Sequence, residues 1–433
     1  MIARSKPSGW TLAAIVAVAT TASVTPAAAQ TRTVALDEAV SLALQVNPQV
    51  VQARGQVRIA GAGRREALGN WLPTLSASSG YSTNSSTRFD PTTQREVTAA
   101  SGSYSAGLNA SLTLFDGLTR FARSRSASAD LASADASLVN QRFQVTLQTK
   151  QAFFNALAAN ELLRVSDTRV QRARRQLQIA RDKLAAGSAI RSDTLQSFVE
   201  LQNAQLQRLN AETDRATAEA GLARLIGVDG TVRPAADSSL FAPIVADTAI
   251  LRNEAVANAP TVAQAEAAAD AAAAQLAISR SQYLPTVSAS YSNSLSGADI
   301  AALNPSWSLR FSLSWPIFNG FTRETGLTRS SANRETALAQ AEDARRQVNA
   351  QFTQYLASLE SARTRFEIAQ ASHAAATEDL RIQQERYRLG AATIVDVLTS
   401  QVNLDQAEVD IVRSQFDYLV AKAQLEALIG REL

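Results

Sequence analysis

Two stretches of the sequence alternate apolar and small polar residues with a period of two. In Ser103–Leu114, Tyr, Ala and Leu at the even positions alternate with Ser, Gly, Asn and Thr at the odd ones. In Ser306–Trp315, Trp, Leu and Phe alternate with Ser and one Arg. Because successive side chains of an extended backbone point to opposite faces, each stretch predicts a β-strand with one apolar and one polar face.

A much longer pattern with a helical period follows each strand. Residues 118–186 contain no Gly and no Pro, and residues 321–389 contain only Gly326. In the second stretch, apolar residues recur every seven positions, as at Ala341, Val348 and Tyr355. This spacing predicts a long helix with a coiled-coil seam. A helix of such a span would extend about 100 Å at a rise of about 1.5 Å per residue.

Each long helix is predicted to end in a glycine-containing turn, after which a second helix runs back. The turns are Ala186-Gly187-Ser188 and Leu389-Gly390-Ala391, where glycine suits the left-handed backbone that follows many helices. The returning helices are predicted over residues 192–226 and 395–429, whose apolar residues recur three and four apart. Each unit is therefore predicted to be a β-hairpin joined to a helical hairpin.

The two units are copies of one sequence pattern. Leu72–Ser78 recurs as Leu284–Ser290, 212 residues further on, and Leu225–Gly227 recurs as Leu428–Gly430, 203 residues further on. The first copy thus has nine extra residues, which we assign to a loop over Tyr81–Gly102 because this stretch is rich in Ser, Thr and Asn.

These patterns divide the chain into four segments. Residues 1–29 are predicted to be a signal peptide, and residues 30–227 to be the first repeat, with an opening helix and a β-hairpin at about 72–116. Residues 228–247 are the predicted connector. Residues 248–433 are the predicted second repeat, with an opening helix and a β-hairpin at about 284–319.

The first segment has the features of a secretory signal. Arg4 and Lys6 precede the apolar run Leu12–Ala19, and Ala27-Ala28-Ala29 supplies a small-residue cleavage site. The apolar run is shorter than the roughly 20 residues that a membrane anchor needs. The chain is therefore predicted to be exported.

Three features of the strands indicate that they cross a lipid bilayer. Their polar faces carry Ser, Thr, Asn and Gly, where a soluble sheet usually carries Lys and Glu. The segments are about 10 residues long, which suits a tilted transmembrane strand. Trp71, Trp307 and Trp315 lie beside or within the strands, as membrane-interface aromatic residues do. The alternative is a half-buried strand of a soluble β-sandwich.

The predicted strands of one chain cannot close a barrel. An open sheet edge in lipid leaves backbone N–H and C=O groups unpaired, which costs several kcal/mol for each group. Two chains would supply eight strands, and side chains nearly fill a barrel of that size. Three chains would supply twelve strands and leave a lumen, so we expect a homotrimer.

The composition excludes most familiar catalytic chemistry. The 433 residues include no Cys and one His, His373, which excludes thiol chemistry, thiolate metal sites and any multi-His site within one chain. With no phosphate-binding loop or metal motif, we predict neither enzymatic activity nor a cofactor. Loss of Arg4 and Lys6 with the signal peptide leaves 40 basic and 39 acidic residues. No basic run indicates a nucleic-acid partner.

The mature chain resembles the TolC family of outer-membrane channel-tunnel proteins, also described as outer membrane efflux proteins. The resemblance rests on the duplication, the strand hairpins, the long spans, the opening Val34–Val40 and above all Tyr387–Leu398. It implies a mixed, mainly α fold in which a trimer forms a twelve-strand transmembrane β-barrel in the outer membrane of a Gram-negative bacterium. A twelve-helix α-barrel would continue it through the periplasm, where the tip would meet an adaptor protein that leads to an inner-membrane transporter.

The resemblance also assigns roles at the tip. Asp396, with Asp193 as its counterpart in the first repeat, matches the aspartates that narrow the periplasmic entrance in this family. The alternative is helix capping, with a capping box at Asp396 and a cap from Ser192 or Asp193 on the other helix. Where the family has a further acidic and a basic residue, this chain has Thr399 and Ala392, which predicts a weaker charged latch.

The glycine turns are the predicted adaptor-docking site, with a purely conformational role of the glycines as the alternative. The residues assigned to this site are Ala186, Gly187, Leu389 and Gly390.

A passive outer-membrane exit duct is the function that accounts for the signal, the strands, the long helices and the duplication together. Drug efflux and type I protein secretion both fit such a duct. The alternative is a periplasm-spanning coiled-coil spacer or adhesin without a channel, which accounts for the helices but not for the paired strands.

Overall fold

The computed structural model describes residues 32–92, 94–235, 251, 252, 255 and 257–433. The predicted signal peptide and residues 236–247 of the predicted connector lie outside these residues. The described helices are α1 Leu36–Val46, α2 Pro48–Gly69, α3 Thr119–Ala185, α4 Arg191–Ile226, α5 Pro260–Ser281, α6 Thr322–Arg388 and α7 Ile394–Ile429. The described strands are β1 Arg32–Val34, β2 Thr74–Asp90, β3 Arg95–Phe115, β4 Val232–Pro234, β5 Thr286–Gly297 and β6 Asn304–Ser314.

The long helices α3 and α6 contain 67 residues each, and their ends lie within one residue of the predicted spans. The returning helices α4 and α7 contain 36 residues each. α4 packs on α3, and α7 packs on α6 and also on α3, so the row of long helices runs α4, α3, α7, α6. Within the described part of the chain, no helix has both the length and the apolar character that a membrane crossing requires.

One antiparallel sheet contains four strands in the order β2, β3, β5, β6. Its central pair joins the two repeats, because β3 pairs with β5 from Tyr104 opposite Gly297 to Phe115 opposite Val287. A separate parallel pair joins β1, at the start of the first repeat, to β4, which lies in the segment predicted as the connector. Both hairpins therefore form one continuous sheet at the same end of the helices.

The predicted loop over Tyr81–Gly102 is wrong, because this stretch belongs to the first hairpin. β2 and β3 stay paired from Thr74 opposite Ser111 to Asp90 opposite Arg95. The backbone groups on the facing edges of the two strands pair with each other, and Tyr81 packs against Tyr104 with ring centroids 4.7 Å apart. The extra residues of the first repeat thus lengthen its strands to 17 and 21 residues, against 12 and 11 in the second repeat.

The main apolar core lies midway along the long helices, where the repeats meet. Phe153 and Phe154 of α3 pack there with Val412 and Phe416 of α7. A second cluster brings α6, through the fully buried Phe352, against the C-terminal part of α7. Helix α7 therefore contributes to both clusters and connects its own repeat to the first one.

The two repeats enter their long helices through equivalent glycines in different surroundings. Gly117 and Gly320 both have the left-handed backbone that glycine adopts without strain, with φ of 64° and 66°. A Cβ added to Gly117 would lie 2.7 Å from both the Ser281 carbonyl oxygen and the Leu284 Cβ. A Cβ added to Gly320 would meet no atom within 4 Å. The first repeat thus needs glycine for space as well as for conformation.

We expect Gly117→Ala to destabilise the protein more than Gly320→Ala. Both substitutions force alanine into the left-handed region, at a cost of about 1 kcal/mol. Only Gly117→Ala also drives a methyl group into the segment between α5 and β5. The free energy of unfolding of the two variants in detergent, from denaturant titration, measures the difference. Equal losses would contradict the role of crowding at Gly117.

Candidate functional site

The four-stranded sheet carries its apolar side chains on one face. The register aligns Leu75, Ala110, Tyr291 and Leu309 in one row across all four strands. On β6 this face is almost unprotected within the chain, since Trp307 is 72% exposed. An apolar face of this size is typical of a surface that meets lipid or another protein.

The opposite face of the sheet is polar and, apart from Arg310, has short side chains over most of its area. The neighbouring row contains Thr74, Ser111, Ser290 and Arg310. Hydroxyl groups pair across the strands, as between Ser288 and Ser312, whose Oγ atoms are 2.7 Å apart. The two faces of the sheet therefore differ in polarity, one apolar and one covered mainly by small hydroxyl side chains.

Both ends of the sheet are open in the single chain. Among the described strands, β2 and β6 are each paired on one side only. Strand edges of this length leave a row of backbone N–H and C=O groups available for another strand. The sheet is therefore a curved fragment that is not closed on itself.

The predicted interface tryptophans lie at two levels of the sheet. Trp71 precedes β2 and packs edge-on against Phe121 at the start of α3, with ring centroids 4.7 Å apart. Trp315 follows β6, and its Nε1–H donates to the Tyr283 carbonyl at 3.2 Å. Trp307 lies toward the other end of β6, about 26 Å from Trp315 along an extended strand. The two levels suit the two interfaces of one bilayer.

At the other end of the molecule, the turns of the two helical hairpins lie side by side. Lys183, just before the first turn, donates to the carbonyl of Tyr387, just before the second, and its Nζ lies 4.2 Å from the Tyr387 ring centroid. Gly187 and Gly390 end the long helices with φ of 74° and 79°. The predicted docking residues are all exposed: Ala186, Gly187, Leu389 and Gly390.

Tyr387 lies beneath these turns and is only 5% exposed. Its hydroxyl has no hydrogen-bond partner among the described residues. Burial raises the pKa of Tyr387, and the negative charge of Asp193 raises it further. Sequence reasoning quoted Tyr387 within a motif but gave it no role, whereas the structure brings it to the contact between the two hairpins.

The two predicted gate aspartates have different surroundings. Asp396 forms a full capping box, because its Oδ2 accepts from the Thr393 backbone N–H at 2.8 Å and from the Thr393 hydroxyl at 2.9 Å. These bonds lower the pKa of Asp396, with a smaller contribution from Arg386. The carboxylate is exposed and stays ionised at neutral pH.

Capping of α4 by Ser192 or Asp193 is wrong. The helix begins at Arg191, and Ile190 occupies the cap position without any side-chain hydrogen bond. Ser192 and Asp193 thus lie inside the first turn, where the Asp193 backbone N–H donates to the Ile190 carbonyl at 3.1 Å. The side chain of Asp193 is half-buried beside the other hairpin.

A buried network of charges, which sequence reasoning missed, links the hairpins above the tip. Asp405 of α7 contacts Arg172 at 2.7 Å and Arg169 at 2.9 Å, both from α3. Arg169 also contacts Glu200 of α4 at 2.8 Å, and Arg172 contacts Glu408 of α7. The network lies about 22 Å from the Gly187 turn along α3 and ties three helices from both repeats.

Burial and charge pairing act on the pKa values of Asp405 and Arg172 in different proportions. Burial raises the pKa of Asp405, and its contacts with Arg172 and Arg169 reverse only part of the rise. Burial alone would lower the pKa of Arg172, but its hydrogen bonds to Glu408 and Asp405 outweigh that effect and raise it. The sequence signal for the network was the shared spacing of three residues, in Arg169 and Arg172 and again in Asp405 and Glu408.

We expect Arg172→Ala to destabilise the protein by about 3 kcal/mol, because it leaves the buried Asp405 carboxylate without one of its two cations. The matched control is Arg363→Ala, which breaks the exposed pair with Glu367 and should change stability by less than about 0.5 kcal/mol. Denaturant titration of both variants provides the measurement. Similar losses of unfolding free energy in the two variants would show that the buried network stabilises the protein no more than an exposed ion pair.

We expect Asp396→Ala to destabilise the protein at neutral pH but not in acid. Since the folded-state pKa of Asp396 lies below its ordinary value of 3.8, the charged cap stabilises the fold above that pH and loses its effect as the pH falls through the folded-state value. Thermal unfolding midpoints of variant and wild type, measured from neutral to acidic pH, should converge at the acidic end. A difference in unfolding midpoint that persists in acid would contradict this assignment. The control is Asp343→Ala, which removes an exposed carboxylate.

Comparison with solved structures identifies the fold. The chain aligns with the crystal structure of CusC, described with transmembrane channel formation, at a TM-score of 0.80 and 19% identity, over 92% of each chain. The sheet at one end and the helical barrel segment at the other therefore have the arrangement of outer-membrane channels of this kind.

Two curated proteins of Pseudomonas aeruginosa are similar over nearly the whole sequence. The pyoverdine export outer membrane protein OpmQ is 28% identical, over 91% of this chain and 85% of that protein. The alkaline protease secretion protein AprF is 25% identical, over 90% of this chain and 83% of that protein. The pattern of the family described as "Outer membrane efflux protein" matches residues 39–228 and 251–431, one segment in each repeat. The chain therefore belongs to the outer membrane efflux protein family, the TolC-like exit ducts of the Gram-negative outer membrane with a helical periplasmic extension.

Proposed function

We propose that three copies of this chain form the exit duct of a three-part export machine. The observation that carries this proposal is the four-stranded sheet with an exposed apolar face and two open edges, β2 and β6. In a bilayer every edge group needs a partner, so β6 of one copy pairs with β2 of the next. Three copies supply twelve strands, which leave an aqueous lumen, whereas eight strands leave almost none.

The helices support the same arrangement. In the row α4, α3, α7, α6, the two end helices each lack a neighbour on one side among the described elements. Helix α4 exposes large apolar residues along its length, namely Leu195, Phe198, Val199, Leu206 and Leu209. In the trimer this apolar stripe packs against α6 of the next copy and completes a barrel of twelve helices.

The lumen conducts solutes passively and performs no chemistry on them. Its wall is the polar face of the sheet, where small hydroxyl groups bond to one another, as in Ser288 with Ser312 and Ser294 with Ser306. The apolar face meets the lipid, and the tryptophans lie at its two borders. The proposal therefore includes neither a catalytic residue nor a cofactor.

At the periplasmic end, Asp396 and Asp193 narrow the entrance. Capping and gating are compatible at Asp396, because both bonds from Thr393 go to Oδ2 and the group keeps its charge. Three copies bring these carboxylates around one axis, where they attract cations. The lack of a further charge at Thr399 weakens the gate.

The exposed turns at Gly187 and Gly390 dock a periplasmic adaptor, which connects the duct to an inner-membrane transporter. The left-handed glycines leave open surface above them, since a Cβ at either position would meet no atom within 4 Å. Leu389, 74% exposed, supplies an apolar contact at the same place. OpmQ and AprF are named for a small molecule and for a protein, so both substrate classes suit this duct.

We expect the purified protein to have the native mass of three chains and to conduct ions in a planar bilayer. Asp396→Asn, which removes the charge and keeps the shape, should shift the permeability ratio toward anions, whereas Thr399→Ala, one turn further along α7, should not. Conductance and reversal potential in asymmetric KCl provide the measurement. A native mass of one chain together with no conductance would favour the alternative, a periplasmic spacer without a channel.

A further inference from the structure

Arg310 is the single charged residue on a large part of the polar sheet face. This face consists of the even-numbered residues of 74–86, 286–296 and 304–314 and of the odd-numbered residues of 99–113. All of them except Arg310 are Ser, Thr, Asn, Gly or Ala. Charged residues of the longer first hairpin lie further out, beyond residue 86 of β2. This part of the polar wall thus carries one large cation among small uncharged side chains.

No carboxylate among the described residues pairs with this charge. Arg310 lies opposite Ser290 on β5 and between Ser308 and Ser312 on β6. Within the described part of the chain, its guanidinium forms no hydrogen bond or ion pair, and the residue is exposed. Of the neighbouring serines, Ser312 is already paired across the strands with Ser288. Arg310 therefore contributes little to holding the sheet together.

The depth of Arg310 makes the charge costly unless it faces water. The residue lies three positions after Trp307 and five before Trp315, between the two levels of interface tryptophans. A charge on the lipid side of a strand near the bilayer midplane costs about 2–4 kcal/mol, whereas a charge on the lumen side remains hydrated. Charged residues at membrane depth usually mark the path of a transported solute.

In the trimeric duct proposed above, on which this inference rests, three copies of Arg310 lie at one level of the lumen. Twelve strands about 4.8 Å apart and tilted by about 40° enclose a barrel with a radius of roughly 12 Å. The arginine side chains extend inward from that wall. The remaining distance to the axis is then shorter than the Debye length of about 8 Å at physiological salt, so the potential of the ring covers the whole cross-section.

We propose that Arg310 forms a basic constriction in the membrane-embedded part of the duct that favours the passage of anionic solutes. Its guanidinium matches carboxylate and phosphate groups by charge and by paired N–H donors, which the serine hydroxyls cannot replace. The ring opposes the acidic entrance at Asp396. A solute thus meets two filters of opposite sign in series, and the second one selects for negative charge.

Reversal potentials in asymmetric KCl test this assignment. Arg310→Ser, which introduces the residue of its neighbours, should raise the permeability of K⁺ relative to Cl⁻ several-fold, opposite in sign to the shift from Asp396→Asn. Arg310→Lys should retain the wild-type ratio, because it keeps the charge. The matched control is Ser312→Asn, an uncharged change on the same face of β6, which should leave the ratio unaltered.

Inorganic phosphate provides an independent probe. Added in the millimolar range on either side, it should reduce the current through the wild-type and Arg310→Lys channels more than through Arg310→Ser. An unchanged permeability ratio and unchanged phosphate block in a conducting, trimeric Arg310→Ser channel would overturn the role of Arg310 and leave the duct intact. A wild-type protein that does not conduct would overturn the duct, and this inference with it.

Discussion

The packing of α3 against α7 is the contact on which the rest of the molecule depends. α3 belongs to the first repeat and α7 to the second, and their core, which includes Phe153 and Phe416, is almost fully buried. Lys150 adds a buried ion pair with Glu426 at 2.7 Å. α3 also packs on α5 of the second repeat, and α5 leads into β5. The same long helix therefore aligns the two repeats at the sheet end and at the turn end.

The contacts between the two hairpins become more polar toward the tip. Near the middle of the helices they include a large apolar core. Further down, the two hairpins meet through the Arg172–Asp405 network, between α3 and α7, and then through Lys183 of α3 against Tyr387 of α6. Polar contacts without a large apolar area depend on exact pairing and can exchange for water. The two hairpins are thus joined by a smaller apolar area at the tip than in the middle, which is compatible with the entrance proposed at this end.

The duplicated units have diverged where they meet different surroundings. Asp396 caps its helix, whereas Asp193 lies inside the first turn of α4 and acts on Tyr387. Gly117 is crowded by the segment before β5, whereas Gly320 faces open space. The first hairpin is longer than the second. The repeats share one architecture, but equivalent residues form different contacts because each repeat packs against different elements of the other.

The sequence by itself determined the type, order and length of the long and returning helices and the presence of the four strands of the large sheet. It did not predict the break of the opening helix into α1 and α2 at Asn47, or the strands β1 and β4. The features that it determined depend on local periodicity and on where Gly and Pro interrupt it, as at Gly187 and Gly390, and no distant contact is needed to specify them. Local composition was misleading over Tyr81–Gly102, where pairing of the two strands satisfied a backbone that Ser, Thr and Asn alone would assign to a loop. Only the tertiary structure decided the Arg172–Asp405 network, the burial of Tyr387 and the isolation of Arg310 on its face. Each of these depends on which distant residues lie opposite one another, and that information is carried by packing and strand register, not by spacing along the chain.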